Sequence, residues 1–273
     1  MFARLPMYDR RENSAAHDAL WAGVRSALGY GGAHLDRDTD HVIGWGRDDL
    51  LLGQMCNLPY RAQFRDQVSR IGCADYGLPD TPAGYYHSVF VVRKDEAARG
   101  LAPATLGRFA YNDALSQSGW GAPLAMVTAK GLKFHTTLRT GAHIDSMFAV
   151  ADGRADLAAI DGVTWRMLQA WEPRAAELCV IDRTAASPGM TFVTANTNDP
   201  EPIRAALCAA IAGLAPDHAE TLGMIGMAVL PDSAYDMALP PPPKAPLQPA
   251  SICALLIQTN CMRHYDRTRH RNP

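Results

Sequence analysis

Along most of the chain, short apolar runs alternate with longer stretches in which apolar residues recur every three or four positions. The short runs predict buried strands, and the longer pattern predicts amphipathic helices. Predicted strands cover residues 2–7, 49–55, 68–74, 85–95, 108–111, 134–138, 156–160, 177–182 and 190–194. Predicted helices cover residues 14–28, 59–64, 119–130, 144–152, 163–171 and 202–214. This order is typical of the α/β class, in which parallel sheets carry helices on their faces and ligands bind beyond the carboxyl ends of the strands.

The segment of residues 108–123 carries the strongest candidate chemistry. A short strand from Arg108 to Tyr111 is followed by a turn, and Ser116-Gln-Ser-Gly119 then opens a helix with Pro123 in its first turn. The first N–H groups of a helix have no intrahelical partner, and the helix dipole adds about half a positive charge there. With the serine hydroxyls, these groups form a predicted anion cradle. Ordinary capping by Ser116 or Ser118 is the alternative, and this segment alone does not decide between the two.

Composition and charge indicate a folded protein and exclude several partners. Hydrophobic residues make up 48% and charged residues 20% of the 273 residues, as in globular proteins. The net charge of −2 does not favour nucleic acid or an anionic membrane surface, and we interpret the basic run at residues 263–271 as a solvated end. No apolar run reaches the roughly 18 residues that a membrane span needs.

The sequence shows no motif for a cofactor, a metal site or covalent catalysis, so none is predicted. The six cysteines have no C-x-x-C spacing, and we interpret them as reduced. Glycine-rich nucleotide loops are missing, and Leu115-Ser-Gln-Ser-Gly119 does not match the G-x-S-x-G motif of serine hydrolases. Residues 1–10 lack the apolar segment of a secretory signal. The prediction is therefore a cytoplasmic protein, or a periplasmic one if the true start lies upstream.

Three segments, taken in order and at their spacings, resemble one known family. They are Tyr86-x-Ser-Val-Phe-Val-Val-Arg-Lys-Asp, then Ser116-x-Ser-Gly-Trp with Pro123, then Gly141-Ala-His143 followed by Ala149-Val-Ala-Asp-Gly-Arg-Ala-Asp-Leu-Ala-Ala-Ile-Asp161. The pattern resembles the phosphonate, phosphite and phosphate substrate-binding proteins of ABC transporters, which have the type II periplasmic binding protein fold. The resemblance covers roughly residues 1–240. It implies a solute-binding protein that closes over a small oxyanion for an ABC transporter.

The resemblance also implies a domain organisation. Two α/β lobes, each with a parallel-dominated sheet flanked by helices, are expected to be joined by two crossover strands, Ser88 to Arg93 and Met190 to Thr194. Lobe one would comprise residues 1–89 and 190–239, and lobe two residues 90–189. Residues 240–273 would form a proline linker and a disordered tail, because four consecutive prolines cannot join a sheet or a helix interior.

Positions matched to the family give the predicted ligand-binding residues. In lobe two they are Ser116, Gln117, Ser118, Gly119 and His143, with Asp161 nearby. Tyr86 is matched to the pocket tyrosine, and lobe one would face these residues with Tyr8 and with Gln54 and Asn57. The expected partners are a small anionic ligand and, for a transporter component, an ABC permease, with the protein a monomer.

Two departures from the family pattern limit the ligand and leave an alternative open. Family members that bind amino-phosphonates place carboxylates where this chain has Val163 and Met190, and Gln117 stands where threonine is common. An amino-phosphonate ligand is therefore disfavoured. The alternative is a cytosolic enzyme or ligand sensor of the same fold, in which Cys56 and His143 would lie on opposite walls of the cleft. A buried, unreactive thiol is the other interpretation of Cys56.

Overall fold

A computed structural model describes residues 1–243, so residues 244–273 of the predicted linker and tail lie outside the described range. The strands are β1 (Phe2–Arg4), β2 (Leu50–Met55), β3 (Val68–Asp75), β4 (Tyr85–Tyr86), β5 (Ser88–Arg93), β6 (Arg108–Tyr111), β7 (Thr136–Arg139), β8 (Leu157–Asp161), β9 (Leu178–Arg183), β10 (Ser187–Pro188), β11 (Thr191–Ala195) and β12 (Gly226–Ala228). The helices are α1 (Ser14–Leu28), α2 (His41–Trp45), α3 (Asn57–Pro59), α4 (Leu101–Ala104), α5 (Ala122–Ala129), α6 (His143–Ala151), α7 (Gly162–Trp171), α8 (Pro200–Ala212) and α9 (Pro216–Leu222). A π-helical turn, Tyr60–Phe64, extends α3, and another, Gln117–Gly121, precedes α5.

Two five-stranded sheets and a short ribbon organise these elements. Sheet one has the strand order β1-β2-β11-β3-β12, and sheet two has the order β7-β6-β8-β5-β9. The ribbon pairs β4 with β10, so that Tyr86 lies opposite Ser187. The chain passes from β3 of sheet one through β4 to β5 of sheet two, and it returns from β9 through β10 to β11. The ribbon is thus the place where both connections between the sheets run side by side.

Both sheets are mixed, which corrects the expectation that parallel pairs would dominate. β1 is parallel to β2, and β6 is parallel to β7 and β8. The two strands that enter from the ribbon differ: β11 is antiparallel to β2 and β3, and β5 is antiparallel to β8 and β9. A strand–helix–strand unit gives parallel neighbours. The directions of β5 and β11 are set instead by the ribbon from which each strand enters its sheet. Local hydrophobic periodicity cannot predict such a direction.

Each sheet has an apolar layer on both faces, because buried side chains alternate between the two faces along its strands. In β11, Phe192 and Val193 are both fully buried and belong to different apolar clusters. In β5, Phe90 and Val91 are likewise divided between two clusters. Successive side chains of a strand point to opposite faces, so both sheets are covered by helices on each side. In the described part of the chain, no helix combines the length and the apolar character needed to cross a membrane.

Candidate functional site

The candidate site lies where β6 ends and the next helix begins. We call residues 116–119 the serine loop. Ser116 has an extended backbone, and its Oγ accepts a hydrogen bond from the N–H of Gly119 at 2.9 Å. The predicted cap is therefore present, and Pro123 lies in the first turn of α5 as expected. Ser116, Gln117 and Ser118 are all buried, so the loop faces the interior of the protein.

Ser118 connects the serine loop to the start of α6. Its Oγ lies 3.3 Å from Oγ of Ser116 and 2.8 Å from Nε2 of His143. The side chain is only 1% exposed. A hydroxyl can rotate to donate or to accept, and the N–H groups at a helix start have no intrahelical partner. An anionic oxygen placed here could accept a hydrogen bond from Oγ of Ser118.

The imidazole of His143 is neutral in this environment. Burial lowers the pKa of His143 to about 3, the positive charge of Arg10 acts in the same direction, and the backbone of Ala159 opposes both. A neutral imidazole supplies a hydrogen bond but no charge. A bound anion would raise this pKa, because an opposite charge favours the imidazolium form.

Residues that precede or follow the strands of sheet one, which we call the sheet-one side, contact the serine loop directly. Sγ of Cys56, which follows β2, accepts from the N–H of Gln117 at 3.4 Å and lies 3.9 Å from the hydroxyl of Tyr86. Nη2 of Arg61 donates to Oε1 of Gln117 at 2.7 Å. Ser116, Ser118 and His143 therefore form one hydrogen-bonded chain. Gln117 bonds Cys56 and Arg61 of the sheet-one side instead, and Tyr86 lies beside Cys56.

A second contact across the two sides joins Tyr8 to Asp161. The hydroxyl of Tyr8 donates to Oδ2 of Asp161 at 2.8 Å, while Oδ1 accepts from the N–H of Thr164 at 2.8 Å. Asp161 is fully buried, ends β8 and caps α7. Burial raises the pKa of Asp161 to about 6, although these hydrogen bonds act to lower it. Both carboxylate oxygens of Asp161 are therefore already engaged by the protein.

The other predicted residues of the sheet-one side also bind the protein itself. Nε2 of Gln54 donates to the hydroxyl of Tyr76 at 3.3 Å, and its buried Oε1 has no hydrogen-bond partner among residues 1–243. Nδ2 of Asn57 donates to the carbonyl of Pro188 in the ribbon at 2.6 Å, and its Oδ1 accepts from Nε of Arg61 at 3.2 Å. Asn57 thus fixes the position of Arg61, which the sequence had not singled out.

Val163 and Met190 form part of an apolar wall near this cluster. Both are buried, and both belong to the apolar cluster that contains Tyr8, Tyr86 and Cys56. An ammonium group placed against this wall would lose its hydration without gaining a carboxylate from either position. The side chains of Val163 and Met190 present only apolar atoms to this cluster.

A comparison with protein families decides the class of protein. The sequence profile of the family described as "ABC transporter, phosphonate, periplasmic substrate-binding protein" matches residues 65–232, which is more than half of the chain. The chain belongs to this phosphonate-binding family.

Solved structures share the fold of this phosphonate-family protein. PhnD1 from Prochlorococcus marinus in complex with methylphosphonate has a TM-score of 0.69 and 15% identity, covering 86% of this chain and 94% of that one. A binding protein component of an ABC phosphonate transporter from Pseudomonas aeruginosa has a TM-score of 0.63 and 18% identity, covering 86% and 82%. A Xanthomonas citri protein bound to ATP has a TM-score of 0.62 and 15% identity, covering 86% and 92%. At these identities the likeness establishes the type II periplasmic binding protein fold alone. No curated protein matches this sequence.

Cys56 of this phosphonate-family protein is not activated as a nucleophile. Burial raises the pKa of its thiol above the ordinary value, although contacts with the backbone of Leu58 and Gln117 oppose the rise. The thiolate is the reactive form of cysteine, and it is suppressed here at neutral pH. Cys56 therefore contributes packing and a weak acceptor to the wall of the site.

Two arginines of the sheet-one side were missed by the sequence reasoning. Arg61 lies four residues after Asn57, one helical turn further along the same face, and this spacing is the signal that could have found it. Arg10 follows Tyr8 in the loop between β1 and α1 and is half-buried. Positive charge facing a serine loop is what an anion site in a buried junction requires.

Proposed function

We propose that this protein is the solute-binding component of an ABC transporter and holds a small phosphorus oxyanion, such as phosphate, phosphite or a phosphonate, in the serine loop. The observation that carries this proposal is the hydrogen-bonded chain of Ser116, Ser118 and His143 at a buried helix start. Hydroxyls, free backbone N–H groups and an imidazole are donors that match phosphoryl oxygens. Membership of the phosphonate-binding family supports the same ligand class.

The proposed action is closure of two lobes over the ligand. We propose lobe one as residues 1–89 and 190–239 and lobe two as residues 90–189, with the ribbon of β4 and β10 as the hinge. The bonds between Tyr8 and Asp161 and between Arg61 and Gln117 support a closed arrangement, because each joins the two sides. Opening would break these bonds and admit the ligand to Ser118.

The proposed ligand carries no ammonium group, because Val163 and Met190 supply no carboxylate. A periplasmic location and an ABC permease partner complete the proposal, on the basis of the family.

Thermal unfolding with added anions tests the proposed function. Phosphate, phosphite, sulfate, methylphosphonate and 2-aminoethylphosphonate would each be added in turn. A ligand at a hundred times its Kd should add about 2.7 kcal/mol to the unfolding free energy. We expect at least one phosphorus oxyanion to stabilise the protein reversibly and without turnover, and methylphosphonate to act more strongly than 2-aminoethylphosphonate. Release of a chemically changed product would instead establish an enzyme.

Replacing Ser118 with Ala is expected to weaken binding of the stabilising anion by about 10- to 100-fold, because a hydrogen bond to a charged group contributes roughly 1.5–3 kcal/mol. Titration calorimetry measures the change. The matched control is Ser146→Ala, since Ser146 is also buried and its hydroxyl, within residues 1–243, bonds only Thr140 and the carbonyl of Ala142 and no residue of the serine loop. Ser146→Ala should lower stability and leave Kd unchanged. Equal affinities for the Ser118→Ala variant and the unmodified protein would contradict the placement of the anion.

A carboxyl-terminal segment, residues 236–241, bridges the two sides beside the serine loop. The carbonyl of Met237 accepts from Nη1 of Arg61 at 2.7 Å. The carbonyl of Pro241 accepts from Nε1 of Trp120 at 2.8 Å, and Trp120 follows the serine loop directly. Because Arg61 and Trp120 belong to opposite sides of the junction, this segment favours the closed arrangement.

Trp120→Phe removes the donor to Pro241 and is expected to weaken anion binding about fivefold, because a typical net hydrogen bond contributes about 1 kcal/mol. Titration calorimetry again gives the Kd. Trp21→Phe is the matched control, since Nε1 of Trp21 donates at 3.1 Å to the carbonyl of Gly32 within one side only. The control should lose stability but keep its affinity. If both substitutions change Kd equally, the segment does not act on closure.

A further inference from the structure

A cavity of about 510 Å³ lies beside the loop that joins β1 to α1. Its charged lining consists of four arginines and two aspartates: Arg4, Arg10, Arg11, Arg37, Asp9 and Asp36. Tyr8, in the same loop, makes the hydrogen bond to Asp161 across the junction. The loop that lines this cavity therefore also contacts Asp161.

The charges in this cavity are not balanced by one another. Arg37 forms ion pairs with Asp9 (Nε to Oδ2, 2.8 Å) and with Asp18 (Nη1 to Oδ1, 2.9 Å). Arg4 donates to the carbonyl of Thr39, but its buried Nε has no hydrogen-bond partner in the described range, although the side chain is only 5% exposed. Arg4 and Arg37 are therefore engaged by neighbouring groups, and Arg10 and Arg11 are the lining cations whose guanidinium forms neither an ion pair nor a hydrogen bond within residues 1–243.

Arg10 is the clearest unpaired cation among the lining residues. Across residues 1–243, the only hydrogen bond that Arg10 donates comes from its backbone N–H, to Oδ1 of Asn13 at 2.8 Å. Its guanidinium is half-buried, and that burial lowers the pKa of Arg10, with the charges of Glu12 and Asp161 acting in the opposite direction. Glu12 is exposed, so it screens Arg10 only weakly. A half-buried guanidinium without an acceptor is a ready partner for an anion.

The start of α1 adds to the positive character of the cavity. The side chain of Asn13 is occupied by Arg10 and by the carbonyl of Tyr8, so it makes no capping bond to the helix. The first turn of this 15-residue helix contains no acidic residue. Its free N–H groups therefore retain their partial positive charge next to Ser14, which also lines the cavity.

Arg10 also acts on the serine-loop side of the junction. Its positive charge contributes to the lowered pKa of His143, and the carboxylate of Asp161 contributes to the pKa of Arg10. Tyr8, two residues before Arg10, donates to Asp161 across the junction, so the loop that carries Arg10 both lines the cavity and contacts the opposite side. A ligand with two acidic groups could engage the serine loop with one group and this guanidinium with the other.

We propose that the cavity beside Arg10 is a second anionic subsite, and that the ligand carries two acidic groups: a phosphoryl head in the serine loop and a carboxylate or second phosphoryl group on Arg10. This inference rests on the proposed function. A guanidinium binds a carboxylate or a phosphoryl group through two parallel hydrogen bonds, which a neutral alkyl group cannot replace. The preferred ligand class is thus a phosphonate with a second acid, and neither an alkylphosphonate nor an amino-phosphonate.

Two matched ligand pairs test the subsite by titration calorimetry on the full chain. Ethylphosphonate is compared with phosphonoacetate, and propylphosphonate with 3-phosphonopropionate. We expect at least one carboxylated ligand to bind more than about tenfold tighter than its alkyl partner. Arg10→Gln should reduce that ratio to less than about threefold. Arg25→Gln removes the same charge from the exposed far end of α1 and should leave the ratio unchanged.

The outcomes separate this inference from the function on which it rests. The subsite alone would be overturned if the alkylphosphonates bind and their carboxylated partners bind no more tightly. It would also be overturned if the tighter binding of a carboxylated ligand persists in Arg10→Gln. Failure of all four ligands while phosphate or phosphite still binds would overturn the subsite alone. Failure of phosphate and phosphite as well would overturn the proposed function together with the subsite. Melting temperatures of both variants show whether loss of the tighter carboxylate binding reflects unfolding. Arg10→Lys is a second variant, which retains the positive charge without the paired donors of the guanidinium.

Discussion

Gly119→Ala is expected to abolish detectable anion binding and to destabilise the protein by roughly 1–3 kcal/mol, the usual range for overpacking a buried site. A Cβ at position 119 would lie 1.8 Å from Oδ1 and 2.9 Å from Cγ of Asn112, and 3.3 Å from the backbone nitrogen of Asn112. Rotation of the Asn112 side chain can relieve its two short contacts, but the backbone contact still requires the serine loop or residue 112 to shift by a few tenths of an ångström. A shift of the loop lengthens the hydrogen bond from the N–H of Gly119 to Ser116 and moves Ser118 relative to His143.

Titration calorimetry and urea unfolding together measure this effect. Gly226→Ala is the matched control, because a Cβ at that position meets nothing within 4 Å and the backbone there is not left-handed. The control should bind the anion with unchanged Kd. If Gly119→Ala retained full affinity while folding normally, the serine loop would not be the anion site.

Asp161→Asn is expected to change how stability depends on pH. The pKa of the buried carboxyl is raised to about 6 from its ordinary value near 3.8, so the folded state holds a proton that the unfolded chain has already released. The contribution of Asp161 to stability is therefore greatest below about pH 4 and declines as pH rises to about 6. A shift of about two units corresponds to roughly 3 kcal/mol across that window.

The asparagine variant should lose this decline, because it carries no charge and its Oδ1 can still accept from Thr164. Urea unfolding at intervals between pH 4.5 and 7.5 should show Asp161→Asn gaining stability relative to the unmodified protein as pH rises. His143 works in the opposite sense, because its lowered pKa costs stability as pH falls from about 6.5 toward 3. Comparing the two proteins at each pH cancels that contribution.

Tyr8→Phe is a control for the Asp161 experiment, because it should shift the pH-dependent decline in stability rather than remove it. The hydrogen bond from Tyr8 favours the ionised carboxylate, so its removal should raise the pKa of Asp161 further and move the decline to higher pH. A difference between Asp161→Asn and the unmodified protein that stayed constant with pH would mean that Asp161 has an ordinary pKa in the folded state.

Local pattern was sufficient to predict the elements that hold the site. The apolar face of α1 lies at residues 14–28 as expected, with Leu20, Trp21 and Val24 buried. The strand ending at Tyr111, the cap at Ser116 and Pro123 in the first turn of α5 also follow from short-range rules about capping and proline. These features depend on neighbours in sequence, so the sequence records them directly.

Contacts between distant segments could not be predicted in the same way. Tyr8 and Asp161 meet across 153 positions, and no periodicity encodes which hydroxyl will face which carboxylate. The direction of β5 and β11 follows from the ribbon, and the roles of Arg10 and Arg61 follow from how the two sides close. Asp161 shows the limit most clearly, since the sequence predicted a ligand contact and only the structure revealed that both of its oxygens accept hydrogen bonds from the protein.

The balance of charge and burial explains why this site suits an anion without a cationic group. The serine loop supplies hydroxyl and backbone donors, while His143 remains neutral, so the positive charge must come from Arg10 and Arg61. We propose that the neighbouring wall of Val163 and Met190 disfavours an ammonium group. The decisive position in this proposal is Oγ of Ser118.

A crystal structure of the protein with methylphosphonate at saturating concentration tests that position most directly. The account predicts phosphonate oxygens about 2.6–3.1 Å from Oγ of Ser118 and from a backbone nitrogen of the serine loop, with Nε2 of His143 in contact, as for hydrogen bonds to a charged acceptor. Methylphosphonate bound elsewhere, or a serine loop that still bonds His143 with no phosphonate beside it, would contradict the account.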